Sequence, residues 1–127
     1  MKYFSILLFC LVAIPSVAQD FKKEDPVYSI RQVEVKPEFD GGMAKFYEYI
    51  TRNFKTPDDK DLKGMLYVSF IIEKDGTLSG VKVLRDLGHG TGDEITRVLT
   101  ASPKWKPATV AGNPVRVQYS LPVKIGD

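Results

Sequence analysis

Apolar and polar residues alternate most regularly near the C-terminal end of the chain. Val115, Val117, Tyr119, Leu121, Val123 and Ile125 share one face of an extended segment, and Arg116, Gln118, Ser120, Pro122 and Lys124 share the other. Pro122 has no N–H to give to a ladder, so this strand is expected at a sheet edge, with the missing donor turned away from its neighbour. A second strand is read over residues 64–72, where Leu66, Val68, Phe70 and Ile72 fall on one side. Asp75-Gly76 then marks a tight turn, and Val81 and Val83 resume the pattern over Leu78 to Leu84, which predicts a hairpin of well-set register.

Between these runs the period changes to three and four. Met43, Phe46, Tyr47, Ile50 and Phe54 form one stripe of a helix, preceded by the Asp40-Gly41-Gly42 turn and limited by Pro57. A shorter helix is predicted after Gly88-His89-Gly90. There Thr91 stands three residues before Glu94, the spacing of a capping box, and Ile95, Val98 and Leu99 turn inward until Pro103. Val27 to Val35 shows only a trace of alternation, through Val33 and Val35, and is read as an extended lead-in.

The N-terminus follows a different logic. Lys2, the apolar run from Phe4 to Ile14, Pro15 and the small residues Ser16-Val17-Ala18 make a leader of residues 1–18, with the mature chain expected to start at Gln19. An inner-membrane anchor through residues 4–14 is the less favoured reading, because a span takes about 20 apolar residues. The rest divides into the lead-in, residues 19–34, and one domain, residues 35–127. Cys10 is the lone cysteine and leaves with the leader, so the exported domain relies on its core and not on disulfides. The whole chain carries a formal charge of +2, which falls to about +1 without Lys2. No concentrated basic face marks it for nucleic acid.

Candidate chemistry is sparse. His89 is the single histidine, so neither a nucleophile–base pair nor a metal set can be assembled, and no catalytic, metal or cofactor residue is assigned. The Gly88 to Gly92 loop precedes a helix and could cradle a phosphate, yet it lacks the surrounding motif and reads better as a strand-to-helix turn. Asp58, Asp59 and Asp61 do not keep calcium-loop spacing and read as a solvated linker. Trp105, between Lys104 and Lys106, is read as a plug under the sheet in preference to a stacking platform.

Taken in order, Pro37-Glu38-Phe39-Asp40-Gly41-Gly42, the following helix, Pro57, Gly64, Val68-Ser69-Phe70-Ile71-Ile72, Asp75-Gly76, Val81-Lys82-Val83-Leu84, Gly88-His89-Gly90, Pro103-Lys104-Trp105-Lys106-Pro107 and Leu121-Pro122-Val123 resemble the TonB C-terminal domain family of energy transducers. The likeness runs from about Val35 to Ile125, with Thr56 and Ile95 as departures that concern packing. It implies an α+β fold: a three-stranded antiparallel sheet, order 2-1-3, with two helices packed on one face. It also implies binding of the TonB box of outer-membrane receptors by strand addition along the last strand. Carried onto this chain, the contact residues are Val115, Arg116, Val117, Gln118, Tyr119 and Ser120.

The family's transducers also meet ExbB and ExbD through an anchor and a spacer. With a cleaved leader and no spacer, this domain is expected to recognise receptors in the periplasm without transmitting force. The competing expectation is a homodimer pairing through the same edge, since an exposed edge also templates self-association. An enzyme centred on His89 ranks last.

Overall fold

The structure is a computed structural model that describes residues 25–57 and 61–126. The expected leader with Lys2 and Cys10, and the pair Asp58 and Asp59, lie outside these residues. In chain order the elements are β1 (Val27–Ser29), α1 (Met43–Asn53), β2 (Gly64–Ile72), β3 (Leu78–Arg85), α2 (Thr91–Thr100), β4 (Ala108–Val110) and β5 (Asn113–Ile125).

Alternation dictates how the sheet is faced. Leu66, Val68, Phe70 and Ile72 of β2 are buried beside Val115, Val117, Leu121, Val123 and Ile125 of β5, and the intervening side chains turn to the opposite face. Phe46 and Ile50 of α1, with Ile95, Val98 and Leu99 of α2, close the apolar face, so both helices lie on one side as expected. Tyr47 stays exposed although it belongs to the apolar stripe. Tyr49 is half-buried instead and donates its hydroxyl to the Val98 carbonyl at 2.8 Å, tying the helices together.

The expected three strands are present in the expected order, as β3-β2-β5, but they are not the whole sheet. Five strands form a mixed sheet of order β1-β5-β2-β3, with β4 also paired to β5. The correction comes from the lead-in: Val27–Ser29 lies parallel to residues 116–118 and satisfies backbone groups that a three-stranded sheet leaves open. The hairpin of β2 and β3 is also less regular than predicted, with register shifts between Tyr67 and Val68 and between Ser69 and Ile71.

One local reading changes. Gly90, in the left-handed region at φ 81°, is the N-cap of α2, and Thr91 makes no capping box. The Thr91 hydroxyl is buried between the Asp86 carboxylate (2.9 Å) and the Gly88 carbonyl (2.7 Å), while Glu94 accepts the Lys55 N–H and pairs with Arg97. Trp105 is the plug that was expected. Its ring meets Phe46 edge-on at 4.6 Å and Phe39 at 5.6 Å, and only 3% of the residue is accessible.

Trp105 is held from below by the hairpin turn. Its N–H donates to the Gly76 carbonyl at 2.8 Å, and a Cβ on Gly76 would stand 2.0 Å from the Trp105 carbonyl oxygen. Gly76 also has φ 88°, so a side chain there is both strained and blocked by main chain. Gly76→Ala is therefore expected to destabilise the fold by at least about 2 kcal/mol. Chemical denaturation followed by Trp105 fluorescence checks this; an unchanged midpoint would contradict the packing described.

Candidate partner-binding edge

β5 is thirteen residues long and needs neighbours on both sides. On one side β2 pairs antiparallel with it from Val117 to Ile125. On the other, β1 takes Arg116 to Gln118 and no described strand pairs with Tyr119 to Ile125, while β4 pairs with Asn113 to Val115 beyond the end of β2. The sequence prediction of an edge strand thus holds for the second half of β5 and is corrected at Arg116 to Gln118, which β1 covers.

Pro122 shows how the open stretch is oriented. It sits opposite Tyr67 of β2, and having no N–H it suits a position whose backbone faces away from that strand. Its carbonyl accepts the Tyr47 hydroxyl of α1 at 3.2 Å. By the two-residue period, Ser120 also presents its N–H and C=O outward, as do Arg116 and Gln118 toward β1. Beside this edge, Tyr47, Phe54, Pro57 and Leu62 face Pro122 to Gly126 across a groove of about 730 Å³. A smaller hollow of about 400 Å³ opens where β1 ends, between Ser29, Ile30 and Gln118 to Ser120.

The model of the Gram-negative bacterial TonB protein C-terminal family matches residues 58–124, just over half of the chain. The chain belongs to the TonB C-terminal family. No curated protein and no solved structure matches it. The matched stretch takes in β2 to β4 and nearly all of β5, whereas β1 and α1 precede it. TonB C-terminal domains serve TonB-dependent transport and interact with outer-membrane receptors, without a catalytic role of their own.

In this TonB-like domain the six residues read from the sequence as contacts divide by face. Val115 and Val117 are buried in the core, and Tyr119 is half-buried, stacked on Phe70 at 5.9 Å with its hydroxyl 3.8 Å from the Met43 sulfur. Gln118 and Ser120 are exposed. Arg116 is spent on structure: its Nε lies 2.8 Å and its Nη2 2.9 Å from the Glu73 carboxylate, and its Nη1 donates to the Asp25 carbonyl at 2.9 Å. The strand's main chain, and not the Arg116 side chain, is what remains for recognition.

Sequence reasoning missed β1 and the groups that hold it. Lys74 pairs with the Asp25 carboxylate 49 positions away, a separation at which no periodicity signals a partner. Val27-Tyr28-Ser29 has strand-forming residues but is too short to display alternation.

The loop weighed in the sequence as a phosphate cradle forms the turn into α2. His89 is exposed at φ 55° in the turn before α2. The backbone N–H groups of that turn are engaged by the chain's own Asp86, whose Oδ1 accepts from Gly88 at 2.8 Å. The Gly88 N–H and then the Thr91 hydroxyl hold the Asp86 carboxyl below its usual range. Among the described residues no group of His, Cys, Asp and Glu is placed to hold a metal.

Glu73 supplies a pH handle on the candidate edge. Hydrogen bonding from Arg116, and secondarily from Ser79, outweighs burial and lowers its pKa. A depressed carboxylate contributes stability above its unfolded value, near 4.3, and that contribution disappears as pH falls through the lower folded value. The two side chains are only 24% and 16% exposed, so Glu73→Gln is expected to cost about 1.5–3 kcal/mol at neutral pH. It should also flatten the loss of stability below pH 4.3. Thermal unfolding at several pH values measures both effects; parallel pH profiles for native and variant chains would contradict the assignment.

Proposed function

We propose that this chain is a periplasmic protein-binding module of TonB-dependent transport, which takes up the TonB box of an outer-membrane receptor as an added strand along Val115 to Ser120. The observation that carries this reading is the side of β5 opposite β2, which among the described residues is covered only by the three-residue β1 and is open from Tyr119 onward. An edge of this kind offers N–H and C=O groups in the spacing an extended peptide needs, so main-chain bonds supply affinity. Side-chain selectivity comes from the hollow beside Gln118 to Ser120 and the groove under Tyr47. Family membership supports a location in the Gram-negative envelope, and among the described residues no helix is long and apolar enough to cross a membrane.

Titration of the 15N-labelled protein with a receptor TonB-box peptide is expected to shift the amide signals of residues 115–120. Absence of any shift there would overturn the reading. Ser120→Pro removes one outward N–H while leaving the β2 pairing of that position possible, because its backbone faces the open edge. Loss of one main-chain bond of about 1.4 kcal/mol corresponds to roughly tenfold weaker peptide binding. Circular dichroism of the variant should remain that of the native fold.

A further inference from the structure

We propose that β1 is an exchangeable internal occupant of the partner edge, which an incoming strand must displace before it can pair with Arg116 to Gln118. This rests on the strand-addition reading above and adds its regulation. β1 pairs Val27 with Arg116, Tyr28 with Val117 and Ser29 with Gln118, so it lies on three of the six residues proposed to receive a partner. A strand cannot be added to those residues while β1 remains on them.

β1 has the properties of a removable strand. It spans three residues, pairs parallel, and presents Val27 and Ser29 to solvent, with only Tyr28 tucked against the core. Parallel pairing is slightly less stable per residue than antiparallel. Its start is held by the Lys74 pair with the Asp25 carboxylate and by Arg116 Nη1 on the Asp25 carbonyl. The Lys74 and Asp25 side chains are 47% and 57% exposed, so that ion pair adds little. Just past β1 the chain turns back: the Gln32 N–H donates to the Ser29 carbonyl at 3.0 Å, and the Ser29 N–H to the Gln32 side chain at 2.9 Å. Departure of β1 therefore ends at a local turn, and the antiparallel pairing of β2 with β5 does not involve it.

The same contacts describe the replacement. Lys74 lies where the incoming strand begins, and Arg116 Nη1 offers a donor to a main-chain carbonyl there, as it does to that of Asp25. The position of Tyr28 accepts one large apolar or aromatic side chain beside the core, and the residues flanking it face solvent. Because only the fraction of molecules with the edge uncovered can bind, docking of β1 lowers apparent affinity by that fraction.

The test locks the strand. Ser29 and Gln118 are register partners, so Ser29→Cys with Gln118→Cys, in a chain carrying Cys10→Ser, can close a disulfide that pins β1 to β5. Two probes are used: a synthetic peptide with the sequence of residues 25–31, and a receptor TonB-box peptide. The oxidised chain is expected to bind both at least tenfold more weakly than the same chain after reduction. Tyr28→Pro, which disables β1 without a cross-link, is expected to bind both at least fivefold more tightly than the native chain. Equal binding of both probes to the oxidised and reduced forms overturns the inference. If the TonB-box peptide alone binds both forms equally, with shifts confined to Tyr119 and the residues after it, receptor recognition at the open stretch stands and the role of β1 falls. If the residue 25–31 peptide binds only the reduced form and the TonB-box peptide binds neither, exchange at the edge stands and the receptor assignment falls.

Discussion

The constraint on which this structure depends is the satisfaction of backbone groups along β5. Thirteen consecutive residues expose an N–H or a C=O alternately to either side, apart from the missing donors at Pro114 and Pro122. β2 answers one side over nine residues in antiparallel register, and this pairing also aligns the buried faces of both strands under α1 and α2. The other side has no comparable neighbour. β1, the Tyr47 hydroxyl and an open stretch share it, and all the features proposed to matter for recognition lie there.

Packing explains where β5 begins. Segment 105–110 is drawn under the sheet by Trp105, whose ring sits among Phe39, Phe46 and Phe70. Reciprocal backbone bonds join Glu38 to Lys106 and Val35 to Thr109 and carry this segment beside the start of β5 as β4. The turn at Ala111 and Gly112 then sends the chain into β5, with β4 able to cover only its first three residues. The aromatic core thereby fixes where β5 starts.

Most of this was legible in the sequence because periodicity reports burial. The two helices, the hairpin, the inward face of β5 and the buried Trp105 follow from spacing and from bulky residues bracketed by prolines. What was not legible depends on contacts between distant positions. β1 is too short for a period to emerge, and its capture by Arg116 and Lys74 joins residues 91 and 49 positions apart. The capping box failed because Asp86, five residues before Thr91, competes for its hydroxyl, and the hairpin register slipped at bulges that alternation alone does not encode.

The two sides of β5 differ in the apolar area they commit to the fold. Removing β2 would expose the core, since its buried residues interlock with those of β5 and with the helices. Removing β1 uncovers three paired residues and one half-buried tyrosine. Net stabilisation per hydrogen bond is small, about 1 kcal/mol, and what makes strand pairing persistent is the apolar area it commits. A strand with little committed area can exchange without passing through the unfolded state, whereas one that carries half of the core cannot. A short strand on the side proposed to receive partners would keep that edge covered between encounters, and a covered edge templates less self-association than a bare one.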